Sequence, residues 1–185
     1  MQIDRVLFPI TTLGPGNRIA IWTVGCPHKC YKCSNPELWD LDESKEIAVS
    51  DLVLNISNYR YEADGITITG GDPFFQPDEL YKLLKELRRL EFKDILVYTG
   101  YSYESLFKKS KKVLSLIDVL IDGRYIDDLN NDIGIIGSRN QNIIILNSNL
   151  KEKYEGFSTI ERKRQNFIYK DKIISVGIPK KIQSE

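Results

Sequence analysis

The chain has 185 residues, a length that suits one domain of ~100–200 residues. Its 26 basic and 26 acidic side chains balance and 42% of its residues are hydrophobic, which excludes a disordered chain and leaves no basic excess to make nucleic acid a main partner. No apolar run approaches the ~20 residues of a membrane span and no secretory signal opens the chain, so a cytoplasmic protein with no membrane partner is expected.

Met1–Arg5 is charged and strand-like. Ile19–Val24 reads as a buried strand that ends at Gly25. Leu52, Val53, Ile56 and Tyr59 fall on one face and predict a helix over 50–59. Gly65–Thr69 is a strand that stops at Gly70-Gly71. The clearest helix runs over 78–91, with Leu80, Leu83, Leu84, Leu87 and Leu90 as its stripe. Pro77 suits its first turn, and Asp78 and Glu79 suit its positive end. A strand over 95–98, a helix over 102–107, and strands over 117–121 and 142–146 follow. The segment 166–178 predicts a hairpin turning near Asp171-Lys172. The lysine-rich run 108–112 and Arg162-Lys163-Arg164 read as solvated faces, with a partner surface as the alternative.

Alternating strands and helices predict an α/β fold with a mostly parallel sheet. In such folds chemistry collects at the carboxyl ends of the strands. Cys26, Gly70-Gly71-Asp72-Pro73, Thr99-Gly100 and Asp122-Gly123 each follow a core strand, so they are expected on one rim.

All three cysteines lie in Cys26-Pro-His-Lys-Cys30-Tyr-Lys-Cys33. An odd count in a reducing compartment argues against disulfides. An electron-transfer 4Fe–4S cluster usually takes four cysteines, so three would leave one iron open to a substrate. The alternative is a zinc site closed by His28, the one histidine, although four ligands from so short a loop are cramped for tetrahedral geometry. Otherwise His28 caps the loop or bonds a sulfide. Gly70 and Gly71 let backbone approach a ligand closely, and Asp72 could accept from a ligand ammonium; an ordinary turn is the plain alternative. Arg18, behind the Gly14-Pro15-Gly16 turn, is either a surface charge or an anion ligand. Ser138 and Asn140 are candidates to cap backbone.

Together these residues resemble the radical S-adenosylmethionine superfamily, in which the cysteine spacing is a signature and Gly-Gly-Asp-Pro looks like the methionine-binding motif. The nearer resemblance is to activating enzymes of anaerobic (class III) ribonucleotide reductase. It rests on Gly14-Pro15-Gly16 with Arg18, Asp72, Leu120-Ile121-Asp122-Gly123, and Gly137-Ser138 with Asn140-Gln141. The resemblance implies a single domain over 1–185 with a core of about 12–146, built as a partial, open (β/α) barrel. Residues 147–185 form an extension that includes the C-terminal β-hairpin.

It further implies that Cys26, Cys30 and Cys33 ligate a 4Fe–4S cluster and that Gly70, Gly71 and Asp72 hold the methionine end of S-adenosylmethionine. Thr99 would lie near the ribose and Tyr31 near the adenine. The implied partners are a glycyl-radical enzyme, as which anaerobic ribonucleotide reductase is expected, and a flavodoxin- or ferredoxin-type electron donor. Three features depart from the pattern. Tyr31-Lys32 stands between the second and third cysteines where the reductase activators commonly have Pro-Gly. Lys32 stands where an aromatic residue is common, and Ile136 where arginine is, with Arg139 inside the motif. The competing functions are a stand-alone radical enzyme on a peptide or small molecule, an iron–sulfur electron carrier, and a zinc-stabilised module.

Overall fold

The computed structural model describes residues 1–169 and 171–180. Six strands form one sheet in the order β1-β2-β3-β4-β5-β6: β1 (Ile3–Ile10), β2 (Arg18–Thr23), β3 (Gly65–Gly70), β4 (Ile95–Tyr98), β5 (Val119–Asp122) and β6 (Asn142–Ile145). The pairs β2/β3, β3/β4 and β4/β5 are parallel, and the outer pairs β1/β2 and β5/β6 are antiparallel. The two edges do not meet, so this is an open, partial barrel with a mostly parallel sheet, as expected.

Between the parallel strands run α1 (Val49–Ser57), α2 (Pro77–Arg89), α3 (Tyr103–Lys109) and α4 (Lys111–Leu114). In α2, Pro77 opens the first turn, Asp78 and Glu79 sit at the amino end and Arg88 and Arg89 at the carboxyl end, which complements the helix dipole. Its stripe of Leu80, Leu83, Leu84 and Leu87 is buried, and each leucine contributes roughly 1.5–3 kcal/mol by leaving water. The stripe packs with Ile19, Ile21, Ile66, Ile68, Ile95 and Val97 on the sheet's helix-covered face.

Strand alternation sends the intervening residues to the concave face. Ala20 and Trp22 join Leu7, Ile10 and Val176 in one cluster there, and Leu96, Val119 and Ile121 join Ile135, Ile136 and Tyr154 in another. The extension therefore covers this face, through α5 (Lys151–Tyr154) and the hairpin of β7 (Gln165–Tyr169) and β8 (Lys172–Val176). The hairpin lies where the sequence put it; part of its turn and residues 181–185 fall outside the described residues.

Two arginines correct their sequence-based readings. Arg18 is neither a surface charge nor an anion ligand, because it is fully buried. Its guanidinium pairs with Asp94 at 2.9 Å and donates to Thr67 Oγ1 and to the carbonyl of Ile66. Gly14 and Gly65 press on this side chain: a Cβ on either would come within 2.8 Å of it. Arg162 is 7% exposed rather than part of a solvated run, and donates to the carbonyls of Gly134, Ile136, Gly137 and Pro179. Lys108, Lys109, Lys111 and Lys112 are exposed as expected.

Candidate functional site

β2 ends in Thr23, and the chain turns at Gly25 (φ +92°) into the cysteine loop. The backbone N–H groups of Gly25 and Cys26 donate to the carbonyls of Leu38 and Trp39, which fixes where the loop leaves the sheet. Lys29 and Lys32 both adopt left-handed backbone (φ +43° and +53°), folding the loop tightly enough for the Cys33 N–H to reach the Cys30 carbonyl at 3.1 Å. The three thiols are free and half-buried. Burial pushes the Cys26 thiol up, with Asp72 and Cys33 adding to it, against the N–H groups of His28 and Lys29. A metal bound there would displace a proton.

The loop is tied down at four points. His28 Nε2 donates to Asp72 Oδ2 at 2.9 Å, and Arg124 Nη2 donates to the His28 carbonyl at 2.6 Å. Lys29 pairs with Asp40. Lys32 Nζ donates to Asp127 Oδ2 at 3.0 Å, and the other oxygen of Asp127 accepts from Tyr125. The lysine that replaces the usual aromatic residue is thus a tether from the loop to the segment after β5.

Asp72 is 1% exposed. Its carboxylate accepts from Phe74 N–H, Thr99 Oγ1, Gly100 N–H and His28 Nε2, at 2.8–3.0 Å. A carboxylate offers about four acceptor sites, so these are filled from within the protein. Asp72 joins three of the rim segments, the cysteine loop and the ends of β3 and β4. Gly70 and Gly71 are needed for backbone packing: Gly70 has φ +107° and a Cβ there would lie 2.5 Å from Thr23 N and O, while one on Gly71 would run into the Gly25 carbonyl.

Cys26, Cys30, Cys33, Gly70, Gly71, Asp72 and Thr99 all line one pocket of about 310 Å³. Tyr31 is the exception among the expected site residues: it is 76% exposed and is not among the lining residues. Gly123 and Gln141 line the opposite side. Gln141 holds that rim, accepting from Gly137 N–H and donating to the Gly123 carbonyl. Ser138 and Asn140 cap backbone at Ile126 and Arg124. Arg139 is exposed; the guanidinium that reaches Ile136 is that of Arg162, from the extension.

Sequence reasoning missed Arg5, Arg124, Tyr125, and Ser175–Pro179 of the hairpin, all of which lie in or beside this pocket. For Arg5 a signal existed, the alternation of β1. For the hairpin there was none, since nothing in its composition says which face it covers.

Three thiols and a close-set backbone rim fit an iron–sulfur cluster with a ligand beside it. Among the described residues no group of three or more His, Cys, Asp or Glu side chains could hold a single metal ion. A cluster differs in placing each thiolate on a separate iron.

Residues 12–144 match the family model of the 4Fe-4S single cluster domain, which defines the class: an iron–sulfur domain. The anaerobic ribonucleoside-triphosphate reductase-activating protein of Escherichia coli K12 is 35% identical over 137 residues, covering 69% of this chain and 88% of that protein. Those of Enterobacteria phage T4 and Haemophilus influenzae are 33% and 32% identical, covering 68% and 62% of this chain and 81% and 78% of those proteins. The chain belongs to this family of reductase-activating proteins. Among solved structures, QueE from Escherichia coli aligns with a TM-score of 0.44 and 24% identity, covering 54% of this chain and 51% of that chain. No helix among the described residues is long and apolar enough to cross a membrane.

Proposed function

We propose that this protein is a radical S-adenosylmethionine enzyme that installs a glycyl radical on anaerobic ribonucleoside-triphosphate reductase. The observation that carries the reading is the single pocket into which the cysteine loop and the strand ends at Gly70–Asp72 and Thr99–Gly100 open together. The relatives, activating proteins of that reductase, support the choice of partner.

Cys26, Cys30 and Cys33 would hold a 4Fe–4S cluster. Bound there, such a cluster would supply the one electron that splits S-adenosylmethionine into methionine and a 5′-deoxyadenosyl group able to take hydrogen from a glycine Cα of the partner. The protein's own part is orientation and exclusion of water. The Gly70–Gly71 end of β3 receives the methionine portion. Asp72, its acceptor sites filled by Thr99, Gly100, His28 and Phe74, acts on the ligand through the strand ends it positions. Thr99 and the Gly123–Gln141 rim border the adenosine. Tyr31, exposed on the cysteine loop itself, is a contact for the arriving partner or cofactor.

The chain from 1 to 185 works as one domain, with the core of about 12–146 carrying the site and the extension closing the concave face. The electron donor is a flavodoxin- or ferredoxin-type protein, and the setting is the cytoplasm. The test is anaerobic reconstitution with iron and sulfide, reduction by dithionite with S-adenosylmethionine, and assay of 5′-deoxyadenosine. Production well above that of a Cys30→Ala control is expected; a cluster that yields none, even with the reductase present, would leave an electron carrier.

A further inference from the structure

Resting on that reading, we infer that Arg5 is a carboxylate-binding residue of the pocket, acting from the wall opposite the Gly123–Gln141 rim. Arg5 lies on β1, outside the residues that match the family model, and lines the pocket beside Trp22. The two residues pair across β1 and β2, with the guanidinium 4.7 Å from the indole centroid. The side chain is nine-tenths buried, at 10% exposure. Its Nη1 is engaged by Asp4, yet its Nε is buried with no hydrogen-bond partner.

A buried donor with no acceptor is costly and uncommon, and a ligand that supplies the acceptor removes the cost. Charge specifies which acceptor. Asp4 is shared between Arg5 and Lys45, two cations on one carboxylate. Burial alone would raise the Asp4 carboxyl, but Lys45 and Arg5 together hold it below the ordinary range, so it is ionised and one positive charge is left over. Arg164 of the hairpin segment also lines the pocket, while Asp72, the acidic residue lining it, is filled by its own donors. An arginine edge in that field takes an anion with a planar, two-oxygen face, which is a carboxylate. Two sources present one: the methionine end of S-adenosylmethionine, and an acidic side chain in the segment of the partner that carries the glycine.

The experiment uses the reconstituted protein with Arg5→Met and Arg5→Lys, matched by cluster content and melting temperature. Equilibrium dialysis measures affinity for S-adenosylmethionine and for its decarboxylated analogue, and anaerobic interferometry measures affinity for the intact reductase of the same organism. Loss of the guanidinium is expected to weaken one partner by about 10- to 100-fold. If S-adenosylmethionine binding falls and analogue binding does not, the carboxylate is the cofactor's. If S-adenosylmethionine binding holds and reductase binding falls, it is the partner's. Arg5→Lys keeps the charge beside Asp4 but has no Nε, so it reports on that atom should Arg5→Met fold poorly. Unchanged affinities in both variants, or an equal loss for S-adenosylmethionine and its analogue, would overturn the inference alone. Wild-type protein that binds neither S-adenosylmethionine nor the reductase would overturn the functional reading and this inference with it.

Discussion

Asp72 concentrates more of the site's order than any other side chain described above. Four donors from four residues meet on a carboxylate that solvent scarcely reaches. Asp72→Ala strands those donors, and a buried donor left unmade costs about 1–3 kcal/mol. The variant is expected to lose about that much stability in urea titration and to bind S-adenosylmethionine at least tenfold more weakly, while iron and sulfide content stays near wild type. Loss of the cluster together with the affinity would mean that Asp72 holds up the cysteine loop itself.

The rim residues were legible because chemistry of this kind needs unusual residues at strand ends, and Cys26, Gly70 and Thr99 are visible as such. The engagement of Asp72 was not legible. A carboxylate near a pocket reads as a ligand for something outside until its four internal donors are seen. Arg162 was hidden for a similar reason: within Arg162-Lys163-Arg164 its charge looks solvated, and only the fold brings the carbonyls of Ile136 and Gly137 to it.

At the scale of elements, the parallel strands and α2 followed from period and punctuation. The antiparallel outer strands carried weaker signals. β1 mixes Asp4, Arg5 and Phe8 with its apolar residues, and nothing local in β6 encodes its direction. The hairpin was found as a hairpin, but its position was not, because docking depends on Val176 meeting Leu7, Ile10 and Trp22 across the whole chain. Val176 is 3% exposed, and Thr12 Oγ1 donates to its carbonyl. Val176→Asp places a charge in that cluster and is expected to detach the hairpin while leaving the six-stranded sheet folded. Limited proteolysis with mass spectrometry should then show early cuts between Lys163 and Lys180 and a resistant remainder. Uniform digestion from the start would show that the sheet needs the hairpin to fold.

For the molecule as a whole, the end of the sheet away from the pocket is held by the buried Arg18–Asp94 ion pair, with Lys153 on the same carboxylate. Burial would raise the Asp94 carboxyl, but Arg18, Lys153 and Tyr154 more than offset it and hold it below the ordinary 3.8. Arg18 shifts in the matching direction, upward. A depressed carboxyl stabilises the fold at pH above its unfolded value, and that contribution is lost as pH falls through the folded value. Wild-type stability should therefore hold from pH 7 down to about 4 and drop below it. Asp94→Asn leaves Arg18 buried without its counter-charge, which costs about 3–5 kcal/mol at pH 7; below the folded value the two proteins should converge. Urea titrations of both proteins at pH 7 and at the lowest pH where wild type still folds would check this. An equal gap at both pH values would show that the pair contributes through shape rather than charge.

The Arg18–Asp94 pair lies at one end of the sheet and the pocket at the other, so the proposed chemistry sits at a single rim. The central claim, that this rim generates a radical on a second protein, is tested most directly by electron paramagnetic resonance. The reconstituted protein, dithionite, S-adenosylmethionine and the reductase of the same organism are mixed without oxygen, and the spectrum is recorded at low temperature. A glycyl-radical doublet on the reductase is expected, absent when Cys26→Ala, Cys30→Ala or Cys33→Ala replaces the wild type. No doublet from a wild-type protein with a full cluster, or one that persists in a cysteine variant, would contradict the account.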